Sequence, residues 1–568
     1  MERRLILVFV LTFLVILAFQ PILKKYLPQP PASKETPSET KAPAPAQQAS
    51  AAAVEVPKVP VPTPGATKQA SSVSETVIEN DVYRITFTNQ GGLVKSWILK
   101  KYDDDAGKPL EVVNATASQA YGFPLSLWTW DQAQRNKLNS SLYVVTKSGD
   151  GKTNEITFEY ADQELAVRKT LHFDESYVVR VEVTVLDKGN VIAALPMWPA
   201  GLGDENTAAA YAASKVEYQG GGDVERVAYK KVSSGNTVRG PFSWAGVSDQ
   251  YFAAVFLPGD IQNAALVTLR NPLDIPKDWR NPKETVKVDV LGVGVGSLKG
   301  ATAERLYVGP KILKILETVP VAGLPANVDP NLRQLIDFGW FGIISRPLFV
   351  WLRWTYEHMV PNWGWAIAIQ TLIINLALLP LRISSMKSAL KMQKVQPLMN
   401  SIKEKYKKYS MRDPRRQEMN TEIAALMKKE GVSPIGGCLP MLIQMPFLIA
   451  YYRMLGSAID LRHAHWLWIK DLSSPDPLYI LPIAVIVTML FTQRMTPQAG
   501  MDPSQQKMMN LMMPLMLGVI SWNLASGLCL YWAEGQLIAI VQQFIMNRTN
   551  LGREMREMME KRARKKDK

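Results

Sequence analysis

Asn375, Gln444 and Glu534 each stand inside a long apolar stretch, and this placement constrains the chain more than any other feature. A charged side chain at the centre of a bilayer costs roughly 2.5–3.5 kcal/mol on insertion scales. Polar groups at that depth face a protein interior or a water-filled cavity. The pattern predicts a hydrated recess built inside a membrane domain.

The sequence around that domain is of several kinds. Residues 1–27 read as a signal-anchor helix: Arg3 and Arg4 precede an apolar run from Leu5 to Phe19, and Lys24 and Lys25 follow with no small-residue cleavage site. Residues 28–73 are rich in Pro, Ala, Ser and Thr, which bury too little apolar surface to order themselves, and so predict a disordered tether. Residues 74–320 read as strands. Val179, Val181, Val183 and Val185 alternate with Arg180, Glu182 and Thr184, the period-two pattern of a half-buried strand. Leu165, Val167, Leu171 and Phe173 do the same, with Lys169 interrupting. Gln90-Gly91-Gly92 and Ser148-Gly149-Asp150-Gly151 supply turns. An all-β antiparallel sandwich is the expected class.

From residue 331 the character changes. Trp340, Trp351, Trp354 and Tyr356 with scattered charge predict an amphipathic helix at the membrane surface over 331–362. A helical core over 363–546 carries five apolar spans: Trp363–Leu381, Ile435–Leu455, Leu478–Phe491, Leu511–Leu524 and Leu528–Met546. With the anchor, this makes six transmembrane helices.

Charge orients them. Residues 382–430 hold 13 Lys/Arg against 5 Asp/Glu, and the tail from Arg548 onward holds 9 against 4, nets of +8 and +5 in a chain of +14. The positive-inside rule puts both segments, and by span parity both termini, in the cytoplasm, with the β domain outside. Within 382–433, Met392, Val395, Met399, Ile402, Tyr406 and Tyr409 step by three and four, a coiled-coil seam. Asp413-Pro414 then starts a second helix with Met419, Ile423 and Leu426 on one face, so the segment predicts a helical hairpin. Residues 547–568 form a basic tail.

Little else points to chemistry. Gly151-Lys152-Thr153 lacks the upstream glycine of a phosphate loop, since Thr146 stands there. His463 and His465 have only Asp460 nearby, too few ligands for a metal. Cys438 and Cys529 both lie in apolar runs and read as small buried residues. His172 is the β domain's one histidine, with no nucleophile elbow or zinc motif to accompany it. No catalytic residue, metal or cofactor is expected.

The polar residues of the spans therefore carry the prediction. Thr371 and Asn375, four apart, share a helix face, with Gln370 beside them. Trp532 and Gln536 share a face of the last span, with Tyr531 and Glu534 on the adjacent one. Gln444 lies between Pro440 and Pro446. Thr371, Asn375, Gln444, Trp532, Glu534 and Gln536 are the candidate lining of the recess. The plainer alternative is that they hydrogen-bond between helices and hold the bundle together.

Several segments resemble the YidC/Oxa family of membrane-protein insertases. They are Ser433-Pro434-Ile435-Gly436-Gly437-Cys438 through Gln444-Met445-Pro446, Leu467-Trp468-Ile469-Lys470-Asp471-Leu472, Asp476-Pro477-Leu478, Ser526-Gly527-Leu528 through Tyr531-Trp532, and Pro361-Asn362-Trp363-Gly364-Trp365. The anchor and large outer domain resemble the Gram-negative form, whose β-supersandwich is similar to sugar mutarotases. The resemblance implies an insertase and chaperone for inner-membrane proteins. Its groove would open to cytoplasm and lipid, and it would work alone or beside the Sec translocon. Implied partners are nascent membrane proteins, membrane lipids, and a ribosome met through the basic hairpin and tail. The family commonly carries a groove arginine where Asn375 stands, so a groove that is polar but not positive is expected. A polar-cavity channel or transporter and a membrane-anchored carbohydrate-active β domain remain the alternatives.

Overall fold

The computed structural model describes residues 67–149, 154–278, 281–321, 323–324, 328–409, 413–432, 439–495, 503–549 and 553. The anchor, most of the linker, Gly151-Lys152-Thr153, the Ser433–Cys438 motif and most of the tail lie outside the described residues.

The valine alternation forms the strand Val178–Asp187, with Val179, Val181, Val183 and Val185 all buried. It is central in the largest sheet. Spatial order there is Asp223–Ala228, Lys215–Gly220, Trp244–Ser248, Phe252–Pro258, Thr302–Pro310, Val178–Asp187, Leu165–Phe173, Asn154–Ala161 and Val144–Gly149, with Asn190–Ile192 added on Val178–Asp187. Neighbours pair antiparallel, as in Thr302↔Val183 and Leu171↔Val181. A five-stranded sheet built on the long hairpin Ala264–Asp278 and Asn281–Ser297, and a four-stranded sheet starting at Glu75–Glu79, complete the β region. Inward-facing aromatic residues, among them Trp97, Trp198, Trp244, Phe158 and Phe256, fill the space between.

Lys169 shows why a lysine can interrupt a buried strand. It is 2% exposed, and its Nζ donates to the carbonyls of Gly91 at 2.7 Å and Leu125 at 2.8 Å. The predicted glycine turn supplies the first acceptor. Gly91 has φ +72°, and a Cβ there would come within 2.5 Å of the Asn139 carbonyl oxygen. Only glycine meets both demands without strain.

The helical region comprises α1 (Gly342–His358), α2 (Trp363–Ala377), α3 (Leu379–Lys405), α4 (Arg415–Lys429), α5 (Leu439–Ser457), α6 (Ile480–Met495), α7 (Pro503–Ser521) and α8 (Ser526–Arg548). Over the described residues each of the five apolar spans overlaps a helix. The first does not run on to Leu381 as expected. It breaks at Leu378, and α2 and the start of α3 are bent by 47°. Pro380, in the first turn of α3, has no N–H to continue the ladder of α2. No single described helix is both long and apolar enough to cross a membrane by itself; the bent pair passes that test together. The predicted hairpin seam is present: Met392, Val395, Met399 and Tyr406 pack against Met419 and Ile423, and α3 continues through Pro397.

These helices are inside-out relative to a water-soluble bundle. On α2, Gln370, Thr371 and Asn375 are buried while Leu372, Ile373 and Leu376 are exposed. On α8, Gln542 and Gln543 are buried while Leu537, Val541, Phe544 and Ile545 are exposed. Ile483, Val487 and Phe491 of α6, and Leu511, Leu515, Val519 and Ile520 of α7, extend the apolar surface. A patch of this kind belongs in lipid, not water. α1 carries two apolar faces. Ser345, Leu348, Phe349 and Leu352 are buried, and Ile343, Val350 and Trp354 are exposed.

The β domain is tied to the helical region by polar contacts. Asp337, just before α1, receives Lys215 Nζ at 2.9 Å. Gln219 Nε2 donates to Gln334 at 2.8 Å, and Gln250 Nε2 to the Gly456 carbonyl at the end of α5 at 2.9 Å. Arg462 reaches Asp105 at 3.3 Å and Asp204 at 3.7 Å.

Candidate functional site

The end of the bundle nearest the β domain is pinned by the start of α2. Asn362 caps it, accepting from the Trp365 N–H at 3.2 Å and donating Nδ2 to the His465 carbonyl at 2.9 Å. Gly364 lies so close to Trp466 that a Cβ would be 2.1 Å from its ring. Trp466 is accordingly buried. The histidines of this loop hold no metal cluster: among the described residues none forms. His463 instead faces Asp105 at 3.5 Å.

One to two turns further along, the bundle is sealed. Gln370, 0% exposed, donates Nε2 to the Leu348 carbonyl of α1 at 3.0 Å and accepts from the Tyr451 hydroxyl of α5. Tyr451 stacks on Tyr531 of α8, with ring centres 3.9 Å apart and planes 11° from parallel. Four helices thus meet in a plug in which the Gln370 amide and the Tyr451 hydroxyl are paired.

Beyond the plug the polar residues diverge in behaviour. Thr371 spends its hydroxyl on the Ile367 carbonyl of its own helix (2.7 Å), and Asn375 Nδ2 donates to the Thr371 carbonyl (2.9 Å). Both are buried, and Asn375 faces α8 at Gly535. Gln542 donates Nε2 to the Asn375 carbonyl at 3.2 Å and accepts from Arg382 Nη1 at 2.8 Å. Trp532 joins an apolar cluster with Val485, Met489 and Ala533. Glu534, Gln444 and Gln536 are half-buried. Glu534 Oε2 is buried with no hydrogen-bond partner, and Gln444 and Gln536 have no side-chain partner among the described residues.

Helix spacing places these three past the plug. Gln444 is seven residues before Tyr451 and on the same face, about 10.5 Å along α5 at 1.5 Å per residue. Glu534 is three residues after Tyr531, on the face adjoining the stack. The pattern is a closed end followed by polar side chains on α5 and α8 without protein partners among the described residues, of which Glu534 has a buried oxygen.

Sequence reasoning nominated Thr371 and Asn375, placed Gln370 and Tyr531 beside candidate positions without assigning them to the lining, and gave no role to Tyr451, Gln542 or Arg382. Gly535 and Gln542, seven apart on one face of α8, were the available signal for Gln542. Arg382 gave none. It reaches Gln542 only because the chain bends at Leu378.

Comparison with known proteins identifies what is built this way. Residues 75–351 match the family model for the YidC periplasmic domain, and residues 354–553 match that for the 60Kd inner membrane protein. The membrane protein insertase YidC of Citrifermentans bemidjiense is 34% identical over 563 residues, spanning 96% of this chain and 99% of the relative. The chain belongs to the YidC family of membrane protein insertases. The YidC of Syntrophus aciditrophicus is 30% identical, spanning 96% of this chain and 100% of its own length. A solved structure described as an active YidC insertase with its first transmembrane domain resolved aligns at TM-score 0.34 and 18% identity, covering 85% of this chain and 94% of that one. YidC membership makes the β region a periplasmic domain and the helical region part of an inner-membrane insertase.

Proposed function

We propose that the strip of polar side chains on α5 and α8, Gln444, Glu534 and Gln536, is the path by which a nascent membrane protein's polar end is drawn partway across the bilayer. Support comes from one contrast. Gln370, Tyr451 and Tyr531 close the end nearest the periplasmic domain, while Glu534 beyond them keeps a buried oxygen without a partner. Groups used only to glue helices would be paired, as Gln370 is. Unpaired ones lower the desolvation cost of a polar guest. The guest's own apolar helix, leaving water at roughly 25 cal/mol per Å², supplies the driving force, and no covalent chemistry is required.

The groove is less purely uncharged than the replacement of arginine by Asn375 suggests. Arg382, bonded to Gln542, places a guanidinium at the far end of the same polar chain. The α3–α4 hairpin would receive substrate on the cytoplasmic side. Its basic face, with the tail, would meet ribosomal RNA electrostatically, and the bundle would work alone or beside the Sec translocon.

Photo-crosslinking tests this reading. A photoreactive residue at Gln444 or Gln536 should capture a stalled nascent membrane protein. One at Leu372, on the exposed side of α2, should capture lipid. Equal capture of nascent chain from all three would refute a defined path.

A further inference from the structure

We infer that the crevice where the periplasmic domain meets the start of α1 is a binding site for the phosphate headgroup of an anionic phospholipid. The crevice is about 310 Å³, and its lining includes Arg226, Asp337, Gly339, Trp340, Ile343 and Arg346. It goes beyond insertion and does not depend on the groove reading.

Charge is the first argument. Asp337 is the crevice's carboxylate, and it is already occupied: Lys215 binds it at 2.9 Å, Arg226 lies 3.9 Å away, and the Gly339 N–H donates to it at 2.9 Å. Arg226 is likewise engaged, with Glu217 at 3.5 Å and the Gln334 carbonyl as acceptor at 2.5 Å. Two further arginines are not. Arg346 is exposed and has no ion pair or hydrogen bond among the described residues. Arg453 of α5 is exposed and equally unpaired, and its Nε would lie 3.5 Å from a Cβ on Gly339. Two guanidiniums near Gly339 thus lack a counter-ion. Arg353 on the same helix differs, being paired with Glu357 at 3.0 Å.

The second argument is what surrounds the charge. Trp340 is 77% and Ile343 85% exposed, among the most exposed large apolar side chains of the protein. With Val350 and Trp354 they continue the exposed apolar face of α1. The first turn of α1 has no acidic residue and no side-chain cap. A soluble phosphate would satisfy the arginines but leave Trp340 and Ile343 in water. A phospholipid satisfies both: its phosphate accepts from Arg346 and Arg453, and its acyl chains cover Trp340 and Ile343. The occupant is therefore a lipid of the leaflet facing the periplasmic domain.

The test uses the full chain in nanodiscs of phosphatidylcholine mixed with phosphatidylglycerol, with a photoreactive residue at Ile343. Crosslinked lipid is identified by mass spectrometry. Phosphatidylglycerol should be enriched over its bulk share. Arg346→Gln with Arg453→Gln should cut that enrichment by about thirtyfold, the equivalent of roughly 1 kcal/mol for each of the two arginines near an anionic surface. Each single variant should give a smaller loss, and Arg353→Gln should give none. Undiminished enrichment in the double variant, or an equal loss in Arg353→Gln, would overturn the site. Competition by free glycerol phosphate as effective as that by phosphatidylglycerol would overturn the lipid as its occupant.

Discussion

Lys169 and Glu205 are two buried ionisable side chains of the periplasmic domain whose effects on stability run in opposite directions with pH. Burial pushes the Lys169 ammonium down to about 7 from 10.5. A neutral amine has two N–H groups, matching the two short bonds to Gly91 and Leu125. Between pH 7 and 10.5 the unfolded chain binds the proton that the folded one does not, so this residue makes stability rise with pH in that window. Glu205 is the reverse. Burial first, and then the charge of Asp249, push its carboxyl up to about 8 from 4.5. Here the folded state holds the extra proton, and stability falls as pH rises from 4.5 to 8. Thermal unfolding of the detergent-purified chain across pH should show the falling limb flattened by Glu205→Gln. The rising limb should be flattened by Lys169→Met, with a loss of about 1–3 kcal/mol for the carbonyls left without a donor. Neither partner set could be read from the sequence. Lys169 was visible only as a break in an apolar alternation, because its acceptors come from turns far away in the chain.

Helices and strands were legible where one face is apolar and the period is regular. The valine strand and the Met392–Tyr409 seam formed as expected because burial of a single stripe decides them. The break at Leu378 was not legible, because both sides of it are apolar and hydropathy does not register a missing N–H. The burial of Trp466 was not legible for a similar reason: the space for its ring is made by Gly364, a glycine far away in the chain. That glycine yields a sharp prediction. Gly364→Ala puts a methyl group into the Trp466 ring, and overpacking of this kind costs about 1–3 kcal/mol. The variant should melt at lower temperature, and Trp466→Leu, which vacates the ring, should restore part of the loss in the double variant. Additive losses would mean that the two positions do not press on each other.

At the scale of the whole molecule, the sequence marks two regions of different solvent but not how they are joined. The join is partly a buried apolar cluster that runs from the strands into the helices and partly polar, and Asp337 belongs to its polar part. Burial alone would raise its carboxyl, but Lys215, with Arg226 and the Gly339 N–H, holds it down to about 2 from 3.8. Its contribution is therefore complete above pH 3.8 and lost as pH falls toward 2. Asp337 also ties two regions together through its backbone, since its carbonyl accepts from Ser457 Oγ at the end of α5 at 3.1 Å. Loss of the carboxylate should release the entry to α1 before it disturbs either region, because its pairing with Lys215 and the Gly339 N–H is local, while buried apolar packing continues to hold the strands and the helices. Hydrogen exchange on the intact protein distinguishes this from general destabilisation. In Asp337→Asn, amides from Gln334 to Ile344 should exchange faster at neutral pH, while those of Val178–Asp187 and of α8 keep their protection. Wild-type protein taken toward pH 2 should show the same local pattern first, once the intrinsic pH dependence of exchange is corrected for. If protection fell equally everywhere, Asp337 would be supporting the fold as a whole, not acting as the tie between a periplasmic domain and a membrane bundle.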